Sequence, residues 1–279
     1  MSDSRTLARR IADTMLKGEG TGPNFGIRVE DAGAVVTVTL CNPEQLNAQV
    51  PSMWLALGEI GHSLADDVRV VVLAAEGRSF SAGLNRGMLR PGGMPGEPDL
   101  LAAAASSPEA MTELIAPFQE GFAAWRRVAP VVIAAVQGHA IGAGFQLALA
   151  ADLRVVTDDV SFAMREVSLG MIPDLAGTRP LVEAVGYSRA LELCATGRFV
   201  GAEEAVRMGL ATLAVPPTEL SATTSDLVQA LLGTPPAALW ALKPLLNHAL
   251  TATIDEQVVR ERVAQGHLLH GMARAAGLS

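Results

Sequence analysis

Residues 129–152 read Ala129-Pro-Val-Val-Ile-Ala-Ala-Val-Gln-Gly-His-Ala-Ile-Gly-Ala-Gly-Phe-Gln-Leu-Ala-Leu-Ala-Ala-Asp152. The run 131–136 is continuously apolar, rich in β-branched residues and too short for a helix of its own, which predicts a buried strand. Gly138, Gly142 and Gly144 then make a glycine-dense turn, and 145–151 reads as an apolar helix. Strand, glycine turn and helix in that order place backbone N–H groups at a helix N-terminus with no side chain to block approach. Such a spot attracts a phosphate, a carboxylate or a developing oxyanion. Glycines between a strand and a helix are more often packing devices than catalytic ones, and the stretch taken alone reads that way. It is not a dinucleotide fingerprint, since the third glycine is missing at the required spacing, and no Gly-Lys-Ser/Thr follows to make a P-loop.

The chain around it has 279 residues, room for one large domain or one domain and an appendage. It is 49% hydrophobic, so a sizeable core is expected. Net charge is −8 and the pI about 5.2, which argues against nucleic acid as a partner. Lys17 and Lys243 are the only lysines, so arginine must supply most cationic contacts. Cys41 and Cys194 stand alone, without CxxC spacing, and point to a reducing, cytoplasmic setting rather than a disulfide framework or zinc site. No apolar run reaches membrane-spanning length. Residues 1–19 carry Leu7, Ile11, Met15 and Leu16 at helical spacing, and the arm 1–24 reads as a short surface helix or frayed segment. Asp3, Asp13 and Glu19 count against a transit peptide.

Onward from the arm, 26–30 and 34–40 predict a β-hairpin about Asp31-Ala-Gly33, and Asn42-Pro43-Glu44 is turn chemistry. A helix is expected from Ser52, as N-cap, to residue 64. A buried strand is expected at 69–75, followed by the small-residue loop 76–85. Six glycines and prolines between Pro91 and Pro98 forbid regular structure there, and 100–105 predicts a mobile helix. Helix 111–127, strands 153–157 and 161–164, an irregular loop 166–178, and short helices at 181–185, 188–196 and 202–208 follow. The rest, 220–232, 237–250 and 255–275, is helical. Strand-rich units first and helices last suggest parallel sheets crossed by helices, with a helical C-terminal section.

Five motifs in order make the chain resemble the crotonase superfamily, the enoyl-CoA hydratase/isomerase family. They are Asn42-Pro…Leu46-Asn47-Ala48; Ser79-Phe-Ser-Ala-Gly83; Pro130 to Gly138 with Gly142-Ala-Gly144; Phe162…Glu166-Val-Ser-Leu-Gly170-Met-Ile-Pro173…Gly177-Thr178; and Thr196-Gly197…Ala202…Ala205…Gly209-Leu210. The resemblance runs from about residue 26 to the C-terminus. It implies an α/β fold, a spiral of ββα units (25–199) followed by a helical region (200–279) that builds trimers or hexamers. It also implies an acyl-CoA thioester substrate, with coenzyme A part of the substrate and no separate cofactor.

By the same resemblance, the N–H groups of Leu84 and Ala143 would form an oxyanion hole for the thioester oxygen. Hydratases of the family carry two glutamates twenty residues apart. The first position is Gln146 here and the second is Glu166. Asp174, after Pro173, matches an acid that double-bond isomerases of the family use. The residues themselves also allow plainer roles: Asp174 as a helix cap, Glu166 as a solvated loop acid, Gln146 as a satisfied core amide. His139 reads as a packing histidine, Asp152 as a structural cap or pair, and Trp54, Trp125 and Trp240 as core. The CoA-binding set is Ala82, Leu84, Arg86 and Lys243, with Arg28 and Arg90 as further cations. The leading expectation is an isomerase using Asp174 and Glu166 as proton shuttle. The alternatives are a hydratase using Glu166 and a Gln146-held water, and a non-catalytic acyl-CoA binder.

Overall fold

The computed structural model describes residues 25–278, so the expectations for the arm 1–24 lie outside the described residues. Two sheets organise the fold. The larger has the order β1 (Ile27–Asp31), β2 (Val35–Leu40), β3 (Val70–Ala75), β4 (Val131–Val136), β6 (Leu153–Thr157), β9 (Leu213–Val215). Only the hairpin β1–β2 is antiparallel; the other pairings are parallel. The smaller sheet joins β5 (His139–Ile141), β7 (Ser161–Ala163) and β8 (Val200–Gly201).

Alternation along the strands feeds two cores. Val71 and Leu73 of β3 and Val132 and Ala134 of β4 face the main cluster. Val70, Val72 and Ile133 face a second one, closed by Val228 of α8 (Leu220–Leu232). A strand covered on both faces has no solvent side, which is why β4 is apolar throughout and buried at all six positions. The main cluster is filled by α1 (Pro51–His62) and α3 (Pro108–Arg127), which pack closely. Gly121 makes that approach possible, since a Cβ there would stand 2.3 Å from the Trp54 carbonyl oxygen. The Trp54 ring meets Phe118 and Phe122 at 5.5 and 6.0 Å between centroids.

Three local expectations change. Ser52 is not the cap of α1: Pro51 is its first residue after Val50. The Ser52 backbone N–H instead donates to Glu97 Oε2 at 2.9 Å, so the loop after β3 brings a carboxylate to the helix N-terminus. Residues 166–178 are not wholly irregular, since Glu166–Leu169 is a 3₁₀ turn ended by Gly170 at φ +75°. β5, β8 and β9 were not anticipated, each being two or three residues long. Beyond α2 (Leu100–Ser106), α4 (Ala143–Ala150), α5 (Thr178–Val185), α6 (Tyr187–Thr196) and α7 (Ala202–Arg207), the chain ends in α9 (Pro236–Ala249) and α10 (Ile254–Ala275). Among the described residues no helix is long and apolar enough to cross a membrane.

Candidate active site

The site begins where two turns cross. Residues 80–85 run between two partners. On one side Phe80 and Ser81 donate to the carbonyls of Gln137 and His139, and Ile141 N–H donates back to Ser81. On the other, Gln49 N–H donates to Gly83, and Asn85 N–H to Gln49. That parallel bridge uses the carbonyl before Leu84 and the N–H after it, so the N–H of Leu84 itself points to the opposite side.

Ala143 is the first residue of α4, and a first helical residue has no N–H partner within its helix. The two turns touch at Gly83, whose φ is +84°. A Cβ on it would lie 2.4 Å from the Ile141 carbonyl oxygen and 3.3 Å from the Ala143 nitrogen. Leu84 and Ala143 therefore present their N–H groups from abutting segments.

Behind the first turn lies a buried polar cluster that sequence reasoning did not assign. Ser81 Oγ donates to the Asn47 carbonyl at 2.7 Å and accepts from Gln49 Nε2 and from the Gly83 N–H, both at 3.1 Å. Gln49 Oε1 accepts the Trp54 indole N–H at 2.8 Å. Asn47 Nδ2 donates to the carbonyls of Glu76 and Ser79, each at 2.9 Å. Asn47 and Ser81 belong to the motifs quoted above, but nothing in their local sequence shows that the two meet.

Three elements bring the candidate carboxyls together. Glu166 opens its 3₁₀ turn and is 8% exposed. Its carboxyl lies against the glycine turn, for a Cβ on Gly142 would be 3.3 Å from Glu166 Oε1. Gln146, one turn along α4, donates through Nε2 to that Oε1 at 2.7 Å. Oε2 is buried and has no hydrogen-bond partner among the described residues. Burial raises the pKa of Glu166, and the charge of Asp174 adds to it, against the backbone N–H groups of Glu166 and Arg165 and the Gln146 hydrogen bond. Asp174 is half-buried in the following loop, its pKa also raised by burial. Its carbonyl accepts from Gln119 Nε2 of α3 at 2.7 Å.

The expected CoA contacts fare differently. Ala82 and Leu84 sit half-buried on the first turn, and Arg86 and Arg90 are exposed just beyond it. Lys243 is a correction: it is 7% exposed, its ammonium 2.7 Å from Asp152 and bonded to the carbonyls of Trp125 and Pro130. A cation so enclosed does not reach a phosphate in this chain's own site. Arg28 is paired with Glu30 and Glu76. Asp152 has the structural partner expected of it, and His139 is exposed, its Nδ1 3.3 Å from Ser79 Oγ. Trp125 is wholly buried and Trp54 nearly so, while Trp240 is half-buried and donates to the Val68 carbonyl at 3.3 Å.

Residues 30–278 match the family model described as enoyl-CoA hydratase/isomerase. The chain belongs to the enoyl-CoA hydratase/isomerase family. Within this crotonase family it is similar to carnitinyl-CoA dehydratase of Escherichia coli (strain K12), at 34% identity over 230 residues, 80% of this chain and 81% of that protein. It is also similar to a Thermobifida fusca YX protein assigned as an enoyl-CoA hydratase and solved with acetoacetyl-CoA. The identity is 44% and the TM-score 0.84, covering 88% of this chain and 96% of that one. The same protein solved with CoA gives 44% identity and a TM-score of 0.84, over 90% and 95% of the two chains.

Proposed function

We propose that this family member moves a double bond within an enoyl-CoA, with Glu166 and Asp174 sharing the proton work. The observation that carries the reading is the free, buried Oε2 of Glu166 close enough to Asp174 to feel its charge, beside the turn that starts with Ala143. Burial and the Asp174 charge favour the protonated form of Glu166, and burial that of Asp174, which suits the two to act as acid and base in one place.

With the thioester oxygen between the Leu84 and Ala143 N–H groups, the ionised carboxyl takes a proton from C2 of a 3-enoyl-CoA. The electron pair moves toward the oxygen, where two fixed donors stabilise it; losing one such donor costs about 3 kcal/mol of barrier. The charge then collapses back, the double bond forms between C2 and C3, and C4 takes a proton from the protonated carboxyl. The pair has gained one proton and given one. The acetoacetyl-CoA and CoA bound in the Thermobifida fusca YX structures support the substrate class, and exposed Leu246, Ile254 and Met272 on the last two helices support a homo-oligomer.

Reversible addition of water is the second reading, favoured by the similarity to carnitinyl-CoA dehydratase. The form of it that relies on a Gln146-held water is weakened, because both ends of that amide already have protein partners. Mass spectrometry after incubation with 2-enoyl- and 3-enoyl-CoA in deuterated water separates the readings. Isomerised product carrying deuterium, lost in Asp174→Asn and Glu166→Gln, is expected. A water adduct that ignores Asp174→Asn overturns the isomerase in favour of the hydratase, and tight acyl-CoA binding without turnover leaves a binder.

A further inference from the structure

Gln146 is 1% exposed and is held at both ends of its amide. Oε1 accepts the N–H of Leu175 at 2.9 Å and that of Gly177 at 3.3 Å, while Nε2 donates to Glu166 Oε1 at 2.7 Å. The amide cannot be turned over: its NH₂ would then face two N–H donors, and its carbonyl would face a carboxylate. Nor can the side chain withdraw, since Gly177 packs so closely that a Cβ there would be 2.6 Å from Gln146 Cγ. One residue therefore grips Glu166 on one side and, on the other, the segment that directly follows Asp174.

We infer that Gln146 is a positioning residue that occupies Glu166 Oε1, leaves Oε2 as the one oxygen to meet substrate, and fixes Asp174 relative to it. The inference rests on Glu166 being the acid/base group of the proposed reaction. Around that carboxyl, Asp174 comes from the loop, and Cys194 of α6 is near enough for its thiol to feel the Glu166 charge. Arg165 turns away, donating to the Gly197 carbonyl at 3.0 Å and lying over the Phe199 ring. The Gln146 N–H is thus the side-chain donor that favours the ionised form of Glu166.

The test compares wild type, Gln146→Met, Gln146→Glu and Glu166→Gln with but-3-enoyl-CoA and crotonyl-CoA. It measures deuterium incorporation and kcat and KM across pH. Gln146→Met keeps the size and loses all three side-chain hydrogen bonds. Its kcat is expected to fall roughly 10²-fold with KM little changed, as for a misplaced catalytic group. Its acid limb is expected to move upward, because the ionised form of Glu166 has lost its donor. Gln146→Glu still accepts from Leu175 and Gly177. Two carboxyls that close share a proton, so its rate is expected to be restored only while that proton is held, moving the alkaline limb away from its wild-type position.

A wild-type rate and acid limb in Gln146→Met, or an alkaline limb unmoved from wild type in Gln146→Glu, overturns the positioning role while an inactive Glu166→Gln keeps the reading of Glu166 intact. Exchange that survives Glu166→Gln, or its absence from the wild type, overturns that reading and the inference with it.

Discussion

Lys243 Nζ lies 2.7 Å from Asp152 Oδ2 and donates to the carbonyls of Trp125 at 3.0 Å and Pro130 at 2.9 Å. Asp152 Oδ2 also accepts the Val132 N–H at 2.8 Å. One buried ammonium thereby joins α9 to the end of α3, the entry of β4 and the residue just before β6. Burial lowers the Lys243 pKa, and Asp152 works against that shift.

Lys243→Met is expected to destabilise the protein by about 3 kcal/mol, because it strands a carboxylate and two carbonyls. Asp152 keeps partial access to water, which holds the loss at the low end of the range for a broken buried pair. Calorimetry is expected to show a melting temperature lower by roughly 6–12 °C. Affinity for CoA is expected to stay unchanged. A weakened CoA affinity with unaltered melting would restore Lys243 as a phosphate ligand.

The candidate carboxyls predict a pH dependence of stability. Burial first, then Asp174, raises the folded pKa of Glu166 above its unfolded value. Between those two values the folded state binds more protons, so stability falls as pH rises through the window. Glu166→Gln removes that contribution. Its melting temperature is expected to exceed that of wild type at alkaline pH, with the gap closing as pH drops into the ordinary carboxylate range. Melting curves across pH check this; a constant gap would show that Glu166 is not the group titrating.

Gly83 combines φ +84° with a Cβ position 2.4 Å from the Ile141 oxygen. Gly83→Ala must push the Leu84 turn away from the Ala143 turn. The expected outcome is a fall in kcat of about 10²–10³-fold, the usual cost of losing one oxyanion donor. Steady-state kinetics beside circular dichroism separates this from unfolding.

Ser81 is wholly buried and its hydroxyl serves three partners. Ser81→Ala leaves the Gln49 amide, the Gly83 N–H and the Asn47 carbonyl short of a partner, at about 1–3 kcal/mol. Chemical denaturation is expected to show that loss, together with a lower kcat. Ser81→Cys, which keeps a weak donor, is expected to fall between the two.

Much of the framework was legible in the chain alone. The β-branched runs at 70–75 and 131–136 became parallel strands, and the amphipathic stretch Leu220–Leu232 became a helix with the expected bounds. These signals are local, since periodicity and side-chain shape act within a few residues. The glycines of the two turns were equally visible, because positive φ and close approach leave no other residue type. β8 and β9 were not visible: strands of two or three residues exist through their partners, and Val155 meets Leu213 across 58 positions of sequence.

Side-chain roles divide in the same way. Chemistry made Glu166, Asp174 and Gln146 candidates from the sequence, but only the packed structure decided which atoms remain open. Gln146 closes on Glu166 across 20 residues and on Leu175 across 29. Lys243, a reasonable phosphate ligand by charge alone, is drawn inward to Pro130 across 113. A residue's charge and shape are properties of the sequence, whereas its partners are set by which distant segments the hydrophobic core brings within hydrogen-bond range, and that is settled only by the tertiary fold.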